Sequence, residues 1–430
     1  MRLFFLSLFC LTFIGCATYT EETRSIRESY NSGQYQKALE TLETSSLKDQ
    51  SNSALLYRLE RSMILDRLGE REKSRKDLMQ ADKIADELFT VSVSKTAASF
   101  VVNDGIQDYE GETYEKIAIH TMMALSFLND QNLKSARIEA RKINTKLYEI
   151  TQEYGDKHNS YTEDAFARFL AGLIYEARGE IDDAIIDYNK AVGLYLQPGY
   201  RKYYQGSVPE ELITSLYRLA KKRRRQELIT RLRDEFSSVI GREENASEKP
   251  DAKYGDLVVI HEIGNIAIKK AKEFIFPFGK QVIRFSFPYI SRERHQSWGE
   301  TGVRVLGGPF TKASNVADMN GIAYQCLEDR RGRMLLKGGA RLLLKGQLTE
   351  KAHEEFGVLG GIAANVFSAV TETADTRSWT LLPEAFYVSR VRLPAGKHQV
   401  TIKSGGKFSD AETVQISPGK LTLLRSSDQS

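Results

Sequence analysis

Cysteine is scarce in this 430-residue sequence, which contains three, at positions 10, 16 and 326. The first two lie in an apolar run with no histidine or carboxylate nearby to complete a metal site. The six histidines are scattered and form neither an HExxH motif nor a pair at helical spacing. P-loop, GxGxxG and GxSxG motifs are missing as well. We therefore predict that the protein is not an enzyme and that it binds no metal and no cofactor.

A strong charge of one sign is also missing. The chain has 61 basic and 57 acidic residues, and a net charge of +4 does not predict a nucleic acid or another polyanion as partner. The one dense basic run, Lys221 to Arg225, contains no aromatic residue, which weakens a nucleic-acid interpretation. We interpret it as a solvated helix face, the alternative being contact with anionic lipid or a wall polymer.

Long hydrophobic runs are limited to the first residues, where MRLFFLSLFCLTFIGCA has a basic start, an apolar core and small residues. This layout predicts a secretory signal peptide, because the apolar core of 12 residues is too short to span a bilayer. The segment FIGCA resembles a bacterial lipobox, although Phe13 replaces the usual leucine. The resemblance implies that residues 1–15 are removed and that Cys16 carries lipid. The alternative is an ordinary secretory signal with a coincidental cysteine.

Two further expectations follow from a lipid on Cys16. Cys326 would then have no partner for an internal disulfide, so the fold would depend on its core alone. Ala17 stands where the usual inner-membrane retention signal has aspartate. We therefore expect a lipid-anchored protein of the outer membrane that faces the periplasm.

The clearest repeat lies at residues 165–196, AFARFLAGLIYEARGEIDDAIIDYNKAVGLYL. Its small and aromatic residues match the spacing of a tetratricopeptide repeat (TPR) at Gly172, Tyr175, Ala184, Tyr188 and Ala191. Small residues allow two helices to approach closely, and the tyrosines fill the space between hairpins. The sequence therefore predicts a helical hairpin, with the turn at Arg178-Gly179-Glu180.

Three weaker copies precede it, with turns at Gly33, at Gly69 and near Asn129 to Asn132. Their irregular spacing requires insertions, which we place at 91–115 and around 154–164. The alternative is an irregular helical bundle without repeat geometry. Repeats of this kind stack so that their first helices line a concave groove, and insertions often lie on the binding face.

The first insertion carries the candidate partner-binding residues Tyr109, Glu110, Glu112 and Tyr114. We predict that both tyrosines are exposed at the rim of the groove and contact a protein partner, because interfaces favour tyrosine. The alternative is that both tyrosines pack on the neighbouring helices.

The pattern changes at residues 241–253, GREENASEKPDAK, which have the polar composition of a linker. We therefore place a helical domain at 16–240 and a mixed αβ domain at 254–430, and we expect each to fold alone. Alternating residues predict strands at 256–264 and 280–290. Two hairpins are predicted at 387–405 and 412–426, with turns at Pro394-Ala395-Gly396 and Pro418-Gly419, as in small β-sandwich modules. The fold class is α+β.

Two segments of the second half allow alternative interpretations. The apolar run GVLGGIAANVFSAV at 357–370 suits either a membrane-facing hairpin or close helix-to-sheet packing, and we favour packing because it has no basic face. Asp375, Arg377 and Trp379 suit either a site or a salt-bridged turn over a buried tryptophan, and we favour the turn.

The mature chain resembles an uncharacterised family of bacterial TPR-containing lipoproteins. The stretches that carry the resemblance are YEGETYEKIAIHTMMALSFL (109–128), SARIEARKI (135–143), GDLVVIHEIGN (255–265), ADTRSWTLLPEAF (374–386) and RVRLPAGKHQV (392–400). The resemblance implies a lipid-anchored envelope protein with helical repeats first and a mixed αβ region second, and it implies no activity.

Two functions remain open. The first is a lipid-anchored adaptor that binds another envelope protein in its repeat groove. The second is a wall-polymer-binding protein or an enzyme with its site in the αβ half. The missing catalytic motifs favour the adaptor.

Overall fold

The computed structural model describes residues 19–92, 107–154, 161–245, 251–278, 281–291, 299–334, 336, 374–404 and 407–427. The first half of this part of the chain is helical. The helices are α1 Tyr19–Glu22, α2 Arg24–Asn31, α3 Tyr35–Thr44, α4 Ala54–Arg67, α5 Arg71–Ser92, α6 Thr113–Asn129, α7 Leu133–Tyr154, α8 Ala165–Arg178, α9 Ile181–Leu196, α10 Glu210–Lys222, α11 Gln226–Glu235 and α12 Ser237–Asn245. A further helix, α13, includes residues 319–334.

The described strands all lie in the second half. These are β1 Tyr254–Ile263, β2 Lys270–Phe278, β3 Gln281–Tyr289, β4 Gly302–Val305, β5 Phe310–Lys312, β6 Ser314–Asp318, β7 Ala385–Pro394, β8 Gly396–Ser404, β9 Lys407–Phe408, β10 Glu412–Ile416 and β11 Leu421–Ser427. The predicted α+β class and the two predicted strands, which correspond to β1 and β3, are confirmed.

Helices α2 to α11 form successive antiparallel hairpins. The predicted turns at Gly33, Gly69 and Gly179 have positive φ angles of 75°, 79° and 78°, which glycine adopts without strain. Helices α8 and α9 are packed closely at Gly172, where an added side chain would collide with the ring of Tyr188. Ala184, Tyr188 and Ala191 are each fully buried. The repeat pattern therefore reflects close packing of the two helices.

The strands of the described residues form two larger sheets and one separate pair. The first sheet has the order β11-β1-β7-β6, and the second has the order β10-β8-β4-β5 with β9 paired to β8. In the first sheet β1 lies parallel to β11 and antiparallel to β7. Strands β2 and β3 pair only with each other among the described strands.

The two predicted hairpins at 387–405 and 412–426 are wrong, although their strands and turns exist. Strands β7 and β8 follow each other in sequence but belong to different sheets, and the same is true of β10 and β11. Each turn carries the chain from one sheet to the other. The residues between these sheets form a separate apolar cluster, so the predicted sandwich arrangement is present.

The first sheet is the middle layer of three. On β1, Leu257 and Val259 join the cluster between the two sheets. The alternate residues Val258 and Ile260 join the large core formed by the helical repeats. Because successive side chains of a strand point to opposite faces, this sheet is buried on both sides.

One hydrophobic core therefore crosses the predicted domain boundary. Repeat residues such as Phe169 and sheet residues such as Val388 and Leu423 belong to the same cluster. The predicted linker also begins inside α12, which continues to Asn245. The last helix of the first half ends at Asn245 and β1 begins at Tyr254, but the two halves share their packing. Among the described helices, none is long and apolar enough to cross a membrane.

Candidate functional site

The concave side of the repeats is formed by the first helices of the hairpins, and it is filled by the second half of the same chain. Helix α6 contacts β11, α8 contacts β6 and β11, and α10 contacts β7. The ring of Phe166 on α8 stacks on Phe386 of β7 with centroids 4.4 Å apart. The concave groove, which the sequence predicted as a partner site, is therefore occupied by the first sheet, whose apolar face packs against it.

A segment without helix or strand, residues 374–384, leads into β7 and crosses this groove. Its backbone N–H groups donate to carboxylates of the concave helices. Those of Thr380 and Leu381 donate to Glu60 at 2.6 and 3.1 Å, and that of Trp379 donates to Glu115 at 2.7 Å. Trp379 is fully buried. The concave helices thus hold this segment through its backbone N–H groups.

The predicted salt-bridged turn in this segment is confirmed. Arg377 donates to Asp375 through Nη2 at 2.8 Å and through Nε at 2.9 Å. Its Nη1 also donates to the carbonyl oxygens of Asn52 and Gln107, both at 2.9 Å. Arg377 therefore links the turn to Asn52, just before the second repeat, and to Gln107, near the end of the first insertion.

The predicted exposure of Tyr109 and Tyr114 is wrong, since they are only 7% and 2% exposed. The Tyr109 hydroxyl donates to Glu115 at 2.7 Å. Glu112 and Glu115 form a capping box at the start of α6, which fixes the chain against the core at this point. Glu110 is exposed. Residues 93–106 of this insertion lie outside the described part of the chain.

The two capping carboxylates lie in a buried charge cluster. The Nζ atom of Lys269 lies 2.5 Å from Glu112, and Arg330 also pairs with it. Burial alone would raise the pKa of Glu112, but the charges of Arg330 and Lys269 lower it to about 2. Burial and the charge of Glu112 raise the pKa of Glu115. The cluster joins α6 to α13 and to the start of β2.

Two buried arginines of the first sheet pair with the concave helices. Arg390 on β7 lies 2.7 Å from Glu176 of α8. Arg425 on β11 lies 2.8 Å from Asp66 of α4 and donates to Glu262 at 3.0 Å. Burying charges this deeply is tolerated only where each one is paired. Charge pairs and apolar packing therefore both bind the sheet to the repeats.

The outer side of the repeats has an open groove between α7 and α9, with α8 as its floor. The groove contains two hollows, with volumes of about 270 Å³ and about 600 Å³. Glu163 and Lys190 lie between the two hollows and line both of them. Tyr148 and Ile186 lie along it with 64% and 52% of their surface exposed. In the floor, Arg168 pairs with Glu163 at 3.1 Å and with Asp187 at 3.3 Å.

The remaining predicted features fall in different places. Tyr175 is buried and lines the first hollow of the outer groove. Cys16 and residues 357–370 lie outside the described residues. Within the described ranges, no three His, Cys, Asp or Glu side chains are grouped to hold a metal ion.

The buried side chains of Glu60 and His261 should have opposite effects on how the free energy of unfolding depends on pH. Burial raises the pKa of Glu60 from 4.5 to about 7, although Thr380 and Tyr19 donate hydrogen bonds that lower it. Glu60 therefore contributes stability below pH 4.5 that is lost as the pH rises through 7. Burial lowers the pKa of His261 from 6.5 to about 4, so its contribution is present above pH 6.5 and is lost as the pH falls to 4.

Each group should change the free energy of unfolding by about 3 kcal/mol across its window. We expect the difference in the free energy of unfolding between the wild type and Glu60→Gln to shrink with rising pH. The difference between the wild type and His261→Gln should grow with rising pH. Urea unfolding at half-unit pH steps measures both, and difference curves that do not depend on pH would contradict the prediction.

The comparisons with known proteins agree with the helical hairpins. The tetratricopeptide repeat family model matches residues 167–198, which cover most of α8 and α9. No curated protein matches the sequence.

Solved structures with some similarity cover about half of this chain. One of them contains the nearly identical TPR-like repeats of a protein from Podosopora anserina that is described as a kinesin light chain. It shares 14% sequence identity with this chain and has a TM-score of 0.32. The match covers 52% of this chain and 96% of that one. BtubC from P. vanneervenii shares 13% identity, with a TM-score of 0.31 over 54% and 79%. MamA from AMB-1 shares 14%, with a TM-score of 0.29 over 53% and 92%.

The matched repeat and the successive helical hairpins identify the TPR architecture. The protein is a TPR-containing protein whose concave groove is filled by its own second half.

Proposed function

We propose that this protein is a lipid-anchored adaptor of the bacterial cell envelope that binds another envelope protein in its outer groove. TPR arrays are binding scaffolds for proteins and carry no chemistry of their own. The observation that carries the proposal is the pair of exposed apolar residues, Tyr148 and Ile186, beside an open groove. We propose no catalytic activity.

The outer groove suits a protein partner better than the concave one. The concave side already has an occupant that buries its apolar surface, so a partner would have to displace a sheet. The outer groove combines a large exposed tyrosine with a polar floor built from Arg168, Asp187 and Asn144. Aromatic anchors beside polar groups are typical of the centres of protein interfaces.

The envelope location is proposed from the lipobox resemblance at Cys16 and from Ala17 after it. The fold is compatible with an anchor there, because Tyr19 is already part of the core and its hydroxyl donates to Glu60 at 2.9 Å. A lipid on Cys16 would therefore hold the folded protein close to the membrane. The absent retention signal at position 17 supports the outer membrane.

A photo-crosslinking amino acid placed in the outer groove tests the proposed partner site in intact cells. We expect positions 148 and 186 to give a covalent adduct of the same mass. Met79 and Ile138 are matched controls, because they are also exposed apolar residues on the outer helices, at 58% and 49%. They should give no such adduct.

The adducts at these four positions distinguish an outer-groove partner from non-specific crosslinking. Equal adducts at all of them, or none at 148 and 186, would contradict an outer-groove partner. A Tyr148→Ser, Ile186→Ser double variant should abolish the adduct from a crosslinker at position 190 of the same groove. The Met79→Ser, Ile138→Ser variant should retain it.

A further inference from the structure

The outer groove contains a glycine that the packing of the chain does not explain. Gly193 lies inside helix α9 and lines the second, larger hollow of the groove. An added Cβ at this position would meet no described atom within 4 Å. At Gly172, by contrast, an added Cβ would lie 2.3 Å from the ring of Tyr188, so packing requires glycine there. Glycine inside a helix is less favourable than alanine, so Gly193 weakens α9 without a gain in packing.

A second glycine lines the same hollow under the same conditions. Gly199 has a φ angle of −65°, which any residue adopts. An added Cβ there would also meet no described atom within 4 Å. Neither glycine is therefore needed for a turn with positive φ or for close contact between two described segments. Both leave open a hollow of about 600 Å³ that larger side chains would narrow.

The other walls of the second hollow are largely apolar. Leu194, Tyr200 and Tyr203 line it. The hydroxyl of Tyr200 accepts the backbone N–H of Ala165 at 2.9 Å, and that of Tyr203 donates to Asp329 at 2.8 Å. Because these hydroxyls already have partners inside the chain, the two tyrosines offer the hollow mainly ring surface. The hollow therefore suits an apolar side chain.

A lysine stands where the two hollows meet. Lys190 is exposed and lines both hollows, and within the described part of the chain it forms no salt bridge. Its charge acts on Asp187 in the floor, but Asp187 and Glu163 are already paired with Arg168. The exposed Asp183 lines only the first hollow, about 10 Å farther along α9. The charge beside the second hollow thus suits a carboxylate of a partner.

The groove favours a segment of protein chain over a small molecule. Ile186, Lys190 and Gly193 lie in one row along α9, because they are four and three residues apart. The row is about 10 Å long, which is the length of about three residues of an extended chain. A compact ligand would occupy one hollow alone. A protein segment reaches both hollows and passes Lys190 between them.

We propose that the second hollow binds a segment of the partner in which a large apolar residue stands next to aspartate or glutamate. The apolar side chain enters the hollow, the backbone of the segment crosses α9 at Gly193, and the carboxylate pairs with Lys190. The partner's backbone fills the space that a side chain at position 193 would take. The inference rests on the proposed partner in the outer groove, and it names the chemistry that this partner presents there.

Graded filling of position 193 tests the proposal in intact cells, with the photo-crosslinking amino acid at position 148. We expect Gly193→Ala to reduce the adduct about threefold and Gly193→Leu to reduce it about tenfold, because leucine fills more of the partner's space. Neither variant should lower Tm, since alanine and leucine favour helices. Gly241→Leu is the matched control and should leave the adduct unchanged. Gly241 also lies in a helix, lines neither hollow and has no described atom within 4 Å of an added Cβ.

The charge is tested with the same crosslinker. Lys190→Gln should reduce the adduct about threefold, because a carboxylate of the partner loses its cation. Lys134→Gln is the control, since Lys134 is exposed on α7 and lines neither hollow. An adduct at position 148 that neither Gly193→Leu nor Lys190→Gln reduces would overturn this proposal and leave the outer-groove partner in place. No adduct at 148 in the wild type would contradict that partner, and the purified chain would then decide the proposal.

In this second arm, the purified chain of residues 17–430 is panned with a phage-displayed library of random dodecapeptides. We expect the selected peptides to place aspartate or glutamate next to leucine or an aromatic residue. Their Kd should rise about tenfold on Gly193→Leu and stay unchanged on Gly241→Leu. Selected peptides without this pairing, equal affinity for the two variants, or no selected peptide at all would overturn the proposal.

Discussion

Arg425→Met is expected to lower the free energy of unfolding by about 3–5 kcal/mol, because it leaves two buried carboxylates without their cation. The side chains of Arg425 and Glu262 are 1% and 0% exposed, and that of Asp66 is 9% exposed. Methionine keeps most of the apolar stem, so the loss comes mainly from the charge. Asp66 belongs to the repeats and Glu262 to the sheet, so this arginine joins the two halves.

Arg242→Met is the matched control for this prediction. Arg242 pairs with Glu210 at 2.7 Å, but the two side chains are 61% and 60% exposed. Exposed pairs of this kind contribute about 0–1 kcal/mol. Urea unfolding of both variants compares the two losses. Similar losses would contradict the interpretation that the sheet is bound to the repeats by buried charge pairs.

The helical repeats could be predicted from the sequence because their signals are local. Gly172 and Tyr188 are 16 positions apart within one hairpin, and each marks a packing requirement of the same two helices. The turn at Gly179 depends on one residue with a positive φ angle. Such signals need no knowledge of distant parts of the chain.

The sheet connections could not be predicted in the same way. Alternating residues identify β7 and β8 as strands, but alternation is the same for a hairpin and for a crossing between two sheets. The decisive feature is that β7 is paired on one side with β1, more than 120 residues earlier in the chain. Which strands pair over such distances in the chain leaves no pattern in the sequence of either strand.

The concave site was missed for a related reason. Glu60 lies between Arg58 and Arg61 in helix α4, and its partner Thr380 is 320 residues away. The sequence predicts that Tyr109 is exposed because it lies in an insertion between two repeats. Its partner is Glu115, which also accepts the backbone N–H of Trp379 from the other half of the chain. Partners this far apart in the chain leave no local signal in the sequence.

The largest expected effect is the loss of folding when the two halves are separated. The sheet face toward the repeats carries six buried apolar side chains, namely Val258, Ile260, Phe386, Val388, Leu421 and Leu423. Exposing them would cost on the order of 10 kcal/mol, at about 1.5–3 kcal/mol each. A domain typically has a net stability of about 5–15 kcal/mol. The buried charge pairs across the same interface add to this cost.

Thermal unfolding of the separated halves tests most directly whether the second half fills the concave groove. Residues 17–245 and 251–430 are produced apart, melted singly and then as a mixture, with the intact chain as reference. We predict that neither half alone shows a cooperative transition, and that the mixture forms an equimolar complex that melts cooperatively. Two halves that each melt cooperatively and do not associate would contradict the shared core.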